Sequence, residues 1–293
     1  MSVSDALGQP REVKLSQGTV RYRERGEGEP IVFVHGLLVN GDLWRQVVPL
    51  LADRYRCITP DWPLGSHTVP LERDADLTPP GLARLIADFM EALDLEGATV
   101  VGNDTGTALS QLVATSHPER VGRLVLTTGD AFDNFPPKMF KGVIGLGYLP
   151  GSLWLLDKAA RPQAVRRFSL GPLTKKLRDP VIFESYAGQL KHAGIRRDLA
   201  KVLRALRSRY TQDAAEKLPQ LQAPLLAVWA PQDKFFPNEH ADRLAELAPD
   251  GRVVLVRDSL AFVSEDQPDQ TAEAIAAFMA ERPLAKAGST AAG

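Results

Sequence analysis

TVVGNDTGTALSQL, residues 99–112, changes its periodicity at the midpoint. A short apolar run leads into Gly102, Asn103 and Asp104, and Thr105, Gly106 and a helix-forming stretch follow. Strand, tight turn and helix are compressed together, with Asp104 at the tip. A backbone that folds back this sharply needs small neighbours, which Gly102 and Gly106 supply. The helix that opens after Thr105 aims free N–H groups and the positive end of its dipole at whatever the turn exposes. An aspartate so placed can attack an sp3 carbon, displacing halide or opening an epoxide, and remain as an alkyl ester. An ordinary N-capping aspartate is the other reading open to it. Two glycines in register with strand and helix favour the nucleophile.

Outward from this turn, short apolar strands alternate with amphipathic helices, which implies an α/β fold with a mainly parallel sheet. EVKLS and TVRYRER alternate in period two around Gln17 and Gly18 and read as an edge hairpin. IVFVHG is a buried strand, GDLWRQVVPLLAD a helix, and RCITPDW the next strand. TPPGLARLIADFMEALDL is a helix that Thr78 should cap. ATVVGN and RLVLTTG are strands on either side of the helix that follows Asp104. From about Asp133 to Gln222 the rhythm breaks into helices, among them IRRDLAKVLRALRSRY, with Ile195, Leu199, Val202, Leu206 and Tyr210 on one stripe. PLLAVWAPQD then resumes the strands. The division expected is a discontinuous core domain, 1–132 and 223–293, with a helical cap domain, 133–222, above the strand ends where open α/β sheets bind ligands. The tail RPLAKAGSTAAG reads as disordered.

This pattern resembles the α/β-hydrolase superfamily from about Val13 to Arg282, and the Asp104 turn resembles its aspartate-nucleophile branch, which holds haloalkane dehalogenases and epoxide hydrolases. The resemblance implies an eight-stranded, mainly parallel sheet with the cap inserted after the sixth strand. FVHGLLVNGDLW is similar to the family's oxyanion loop, so the N–H groups of Leu37 and Thr105 are expected to stabilise developing negative charge. His35 is there a structural part of the loop. LAVWAPQDKFFP places Asp233 as the triad acid, with Asp130 in LTTGDAFDNFPP as the backup. DSLAFVSEDQP is similar to the family's H-F-V-x-E-D-x-P segment, with Ala261 where the histidine belongs. A positioned base contributes ~10²–10⁴-fold, so its loss should strand the reaction at the ester. His67, in the loop after the fourth strand, is the candidate substitute base. Trp62, Phe140, Tyr148, Trp154, Tyr186 and Phe262 are the candidate substrate-binding residues.

Other positions depart from the branch. Thr105 stands where dehalogenases place a halide-holding tryptophan, and Leu37 where many have asparagine. The loop lacks the proline of epoxide hydrolases, and Tyr148, Tyr186 and Tyr210 are the cap tyrosines from which an epoxide-protonating pair would have to come. The function expected is an enzyme of this fold in which Asp104 acts on an apolar small molecule, with impaired turnover. The alternatives are non-hydrolytic chemistry (rearrangement, cyclisation or elimination) or a silent small-molecule-binding protein.

The bulk composition agrees with a globular chain: 44% hydrophobic and 24% charged residues in 293. The net charge of −1 conceals an asymmetry, since residues 133–222 carry 17 Lys or Arg against 7 Asp or Glu. That block is a solvated basic face or a device that steers an anionic substrate or partner. Aromatic and basic residues are not interleaved as on a nucleic-acid surface, so no nucleic-acid partner is expected. No run is long enough to span a membrane, and none is expected as a partner. No cofactor or metal is expected, because the Gly102–Gly106 turn is not a dinucleotide fingerprint and no metal-ligand cluster stands out. The lone Cys57 and the absence of a signal-like N-terminus suit a cytoplasmic protein, either monomer or homodimer.

Overall fold

The computed structural model describes residues 3–160, 162–176 and 180–284, so most of the tail read as disordered lies outside it. The strands are β1 (Gln9–Leu15), β2 (Gly18–Arg25), β3 (Glu29–Val34), β4 (Tyr55–Pro60), β5 (Ala98–Asp104), β6 (Val121–Gly129), β7 (Leu225–Trp229) and β8 (Gly251–Leu255). They form one sheet in the order β1-β2-β4-β3-β5-β6-β7-β8. The β1–β2 and β2–β4 pairs are antiparallel and the remaining five pairs are parallel. The sheet is thus eight-stranded and mainly parallel, as the resemblance implied.

Burial follows position in the sheet. β5 has parallel neighbours on both sides and is buried throughout, so its sequence is a continuous apolar or small run. β2, near the edge, alternates buried and exposed residues instead. Cys57 lies on β4, and burial pushes its thiol up to about 12, so it is inert at neutral pH. Helix α1 (Pro79–Ala92) starts as its sequence dictates, with the Thr78 hydroxyl accepting the Gly81 N–H at 3.2 Å. Helix α2 (Thr105–Ser116) leaves the tip of β5 directly.

Between β6 and β7 every described element is helical. These are α3 (Lys141–Leu146), α4 (Ser152–Ala159), α5 (Gln163–Leu170), α6 (Pro180–Ala187), α7 (Ala193–Ala205) and α8 (Arg209–Lys217), with short 3-10 turns between some of them. The chain closes with α9 (Asn238–Leu247), the single turn α10 (Val263–Asp266) and α11 (Pro268–Glu281).

Two helices expected from periodicity are broken. Residues 41–53 form a 3-10 turn, Gly41–Trp44, and a single helical turn, Val48–Leu51, because Pro49 has no N–H and its ring would meet the Arg45 carbonyl of a continuous helix. The arginine-rich cap helix stops at Ala205, and Tyr210 belongs to α8. Ile195, Leu199, Val202 and Leu206 are buried as the stripe requires, while Tyr210 is half-buried.

Register sets the site. Val34 of β3 pairs with Gly102, and Asp104 pairs with Gly129 of β6. The chain ends that follow β3, β5 and β6 therefore emerge side by side, and β7 joins them through its pairing of Val228 with Thr127.

The turn tolerates no side chain at its glycines. A Cβ on Gly106 would sit 2.1 Å from the Val34 carbonyl oxygen, and one on Gly102 would sit 2.5 Å from the Gly106 oxygen and the Ser110 hydroxyl. Gly106→Ala must push β3 away from α2, so a loss of at least about 2 kcal/mol is expected in chemical denaturation. A variant as stable as the parent would show that this packing does not hold the turn.

Candidate active site

Asp104 has φ 54° and ψ −125°, backbone space that a non-glycine residue enters only when its surroundings force it. The forcing is visible on three sides. A Cβ on Gly36 would meet the Asp104 carboxylate at 2.1 Å, one on Gly129 would meet its carbonyl oxygen at 2.4 Å, and Gly106 lies against β3. The side chain that results is only 8% exposed. It stands at the N-cap position of α2 without a side-chain capping bond, although the N–H of Thr105, the first residue of that helix, faces its carboxylate.

The Thr105 and Leu37 N–H groups, named from sequence as the oxyanion donors, both face the Asp104 carboxylate. Burial nevertheless pushes its pKa up to about 7; the two N–H groups oppose that rise and the Asp233 charge adds to it. Asp130 lies against the same group. Its N–H donates to the Asp104 carbonyl at 3.1 Å, and its Oδ2 accepts the Thr105 hydroxyl at 3.2 Å. Its Oδ1 is buried with no hydrogen-bond partner among the described residues. Burial, and then the Asp104 charge, hold the Asp130 carboxyl well above the usual carboxylate range. Two buried carboxyls this close cannot both ionise freely.

Asp233 is anchored on its other side. Its Oδ1 accepts the N–H groups of Phe235 at 2.7 Å and Phe236 at 2.9 Å, and the Ala261 N–H also faces the carboxyl. Its Oδ2 is buried without a partner among the described residues. Ala261 is fully buried, and its carbonyl accepts the Asn103 side-chain amide at 2.8 Å. Asn103 thereby ties the residue before the candidate nucleophile to the segment where the resemblance places the histidine. Among the described residues, no histidine is hydrogen-bonded to any of the three aspartates.

His67 is corrected by the structure. It is buried, with Nε2 at 3.3 Å from Asp198 of α7, so it holds the cap helix rather than serving Asp104. Burial keeps its pKa below the ordinary value against the pull of Asp198. His35 is structural as expected: its Nδ1 lies 2.9 Å from the Gly36 carbonyl, its Nε2 accepts the Trp62 N–H at 2.8 Å, and burial lowers it to about 4.

The substrate-binding candidates separate. Phe140 packs with its ring 5.7 Å from that of Phe235, whose N–H is held by Asp233. Phe262, next to Ala261, is fully buried and donates its N–H to the Leu173 carbonyl of the cap. Trp62 is a core residue: its ring packs on Phe89 and its indole N–H donates to the Phe33 carbonyl. Tyr186 is buried, but its hydroxyl is donated to Glu265 at 3.1 Å and is not free to protonate a substrate oxygen. Tyr148 and Trp154 are about half exposed, Tyr148 donating to the Arg204 carbonyl and Trp154 lying beneath the Lys158 ammonium. A long apolar run in sequence is equally compatible with a tunnel wall and an outer surface, and for these two residues it is the surface.

Two residues of the SEDQP segment have roles that the sequence did not reveal. Glu265 makes a two-point pair with Arg45, accepts the Gln46 amide at 2.9 Å and receives the Tyr186 hydroxyl. Asp266 accepts the Thr174 hydroxyl and the Lys175 and Lys176 N–H groups from the cap, and the Leu260 N–H from the Ala261 loop. Their place in the motif marked them; their partners lie too far along the chain to be read from it. A hollow of about 630 Å³ beside the hairpin, with Asn40, Asp42 and Asp61 in its lining, does not include Asp104. Among the described residues no group of three or more His, Cys, Asp or Glu is placed to hold a metal ion.

Comparison with known proteins gives this geometry its context. The profile of the alpha/beta hydrolase fold matches residues 29–268. Haloalkane dehalogenase 2 of Mycobacterium tuberculosis is 27% identical over 271 residues, covering 89% of this chain and 91% of its own. A cis-3-alkyl-4-alkyloxetan-2-one decarboxylase of Xanthomonas campestris is 25% identical, with coverage of 94% and 97%. Among solved structures, an epoxide hydrolase superposes with a TM-score of 0.79 at 20% identity, covering 93% of this chain and 99% of that one, which speaks to the fold.

The raised Asp104 pKa has a measurable consequence. The folded chain keeps this proton to higher pH than the unfolded chain, so its stability falls as pH rises from about 3.8 towards about 7. Asp104→Asn removes that penalty. The variant should therefore gain on the parent across this window, by on the order of 1–3 kcal/mol at pH 8. A stability difference that stays constant with pH would mean that the carboxylate is buried at no protonation cost.

Proposed function

The chain belongs to the alpha/beta hydrolase family, and from that premise we propose that Asp104 is a nucleophile towards an sp3 carbon of an apolar small molecule. The observation that carries this reading is the forced backbone of Asp104, which presents its carboxylate to the amides of Leu37 and Thr105. Strain of this kind is retained where the surroundings over-determine it for a use. In the reacting state, the ionised Asp104 oxygen forms a C–O bond. The bond to the leaving halide, or to the epoxide oxygen, breaks with its electron pair. The leaving atom departs on the side of the carbon opposite Asp104, and an epoxide oxygen then takes its proton there from solvent. Phe140, Phe235 and Phe262 suit an apolar ligand near Asp233.

The alkyl ester is the point of arrest. Its hydrolysis requires water to lose a proton to a base as it attacks the ester. Ala261 can accept none, and the orphaned Oδ2 of Asp233 has no histidine to orient. Turnover by hydrolysis is therefore slow or absent with alanine at 261. A second reading keeps Asp104 and dispenses with water, as rearrangement, cyclisation or elimination would. It is favoured by the Asp104–Asp130 pair, which can exchange a proton without a histidine, and the Xanthomonas relative is named as a decarboxylase rather than a hydrolase.

Intact mass after incubation with a panel of haloalkanes and epoxides distinguishes these readings. A persistent adduct that is absent from Asp104→Asn is expected. Product without adduct would favour the second reading, and saturable binding with neither would indicate a silent binding protein.

Ala261→His should place an imidazole against Asp233 and raise hydrolytic turnover of an adduct-forming substrate by about 10²-fold or more. An unchanged rate would count against position 261 as the missing base.

A further inference from the structure

Seven of the ten large apolar side chains exposed among the described residues fall between Met139 and Phe168. Soluble monomers seldom gather so much exposed apolar surface in one segment without a use for it. The helices themselves show which of their sides are exposed. In α4, Leu153 and Asp157 are buried while Trp154 and Leu155 are exposed, so its outer face is the apolar one. In α5, Val165 and Phe168 lie one turn apart on the same side, and Phe168 is 84% exposed.

Positive charge surrounds this face. Leu149 and Trp154 line a shallow cleft of about 200 Å³ together with Arg196 and Arg204 of α7. Arg196 donates to the carbonyls of Leu190 and Lys191, and Arg204 to that of Gly147. Arg207 donates to the Tyr148 hydroxyl. These acceptors are neutral, and among the described residues no acid is paired with Arg196, Arg204 or Arg207. The segment as a whole, 133–222, carries 17 basic against 7 acidic residues, so its field is positive.

We propose that this outer face of the cap docks on an anionic lipid bilayer surface, with Trp154, Leu155 and Phe168 entering the headgroup region and the α7 arginines meeting lipid phosphates. Exposed Trp, Leu and Phe beside Lys and Arg are what an interfacial surface requires, each part supplying what the other lacks. A second copy of the chain on this face would bring two strongly positive surfaces together. A nucleic acid would satisfy the charge but leave Leu149, Leu155, Val165 and Phe168 in water. No membrane was expected from the sequence because no run could span one; among the described residues no helix is long and apolar enough to cross a membrane, and surface docking needs no such helix. The role of Asp104 does not enter into this assignment.

Trp154 makes the test direct, because the other three tryptophans are at most 1% exposed while it is 48% exposed. The full chain is mixed at low salt with vesicles of equal parts phosphatidylglycerol and phosphatidylcholine, and with phosphatidylcholine vesicles alone. Expected are flotation with the anionic vesicles only, a blue shift of Trp emission, its quenching by brominated lipid, and loss of all three as salt rises. Leu155→Ser with Phe168→Ser, both on the exposed face, should lower partitioning about tenfold or more, as should Arg196→Glu, with the circular dichroism spectrum unchanged. Absence of flotation, equal binding to neutral vesicles, or a concentration-dependent blue shift without lipid would each overturn the proposal.

Discussion

The close approach of β3, β5 and β6 around Asp104 is the constraint on which the rest of the site depends. Glycines at positions 106 and 129 let neighbouring backbone come within distances that any Cβ would prevent, and Gly36 does the same for the Asp104 side chain. The sheet register then leaves Asp104 no backbone state other than the strained one. That strain is maintained by the packing of an entire parallel sheet, so it costs little to hold once the core has formed. Because the same packing excludes water, the carboxylate at the tip is poorly solvated and binds its proton tightly. The strained turn that presents the Asp104 carboxylate and the burial that raises its pKa thus have one origin.

The acids around this point are arranged unequally. Asp130 lies against Asp104 and shares its burial, so the two titrate as a pair. Asp233 is held at a distance by backbone N–H groups from the loop after β7, with one oxygen left without a partner. An unsatisfied buried carboxylate oxygen is costly, and the Ala261 N–H faces the same carboxyl.

The cap is joined to this site by charged and polar groups as well as by apolar packing. Asp266 gathers N–H groups from both the cap and the Ala261 loop, Glu265 binds Arg45 and the cap tyrosine Tyr186, and Asp198 pairs with His67. Hydrogen-bonded buried carboxylates fix orientation more than they add stability. They fix the inner side of the cap over the site, and that leaves its basic, apolar outer side free for another surface.

Much of the fold was legible in the chain because the relevant signals are local. The apolar run of β5, the glycines flanking Asp104 and the Thr78 cap each express a constraint that acts within a few residues. Helix length was legible only where no proline intervened, so Pro49 broke one expected helix. What the tertiary structure alone decided are contacts across long stretches of sequence. That His67 meets Asp198, that Tyr186 gives its hydroxyl to Glu265, and that Trp62 is buried while Trp154 faces solvent depend on how the cap lies on the sheet. Periodicity states that a side chain is apolar; which neighbour covers it is set by packing between distant segments. The sharp turn at Asp104 was therefore written in sequence, and the burial and neighbouring charges that act on its carboxylate came only with the fold.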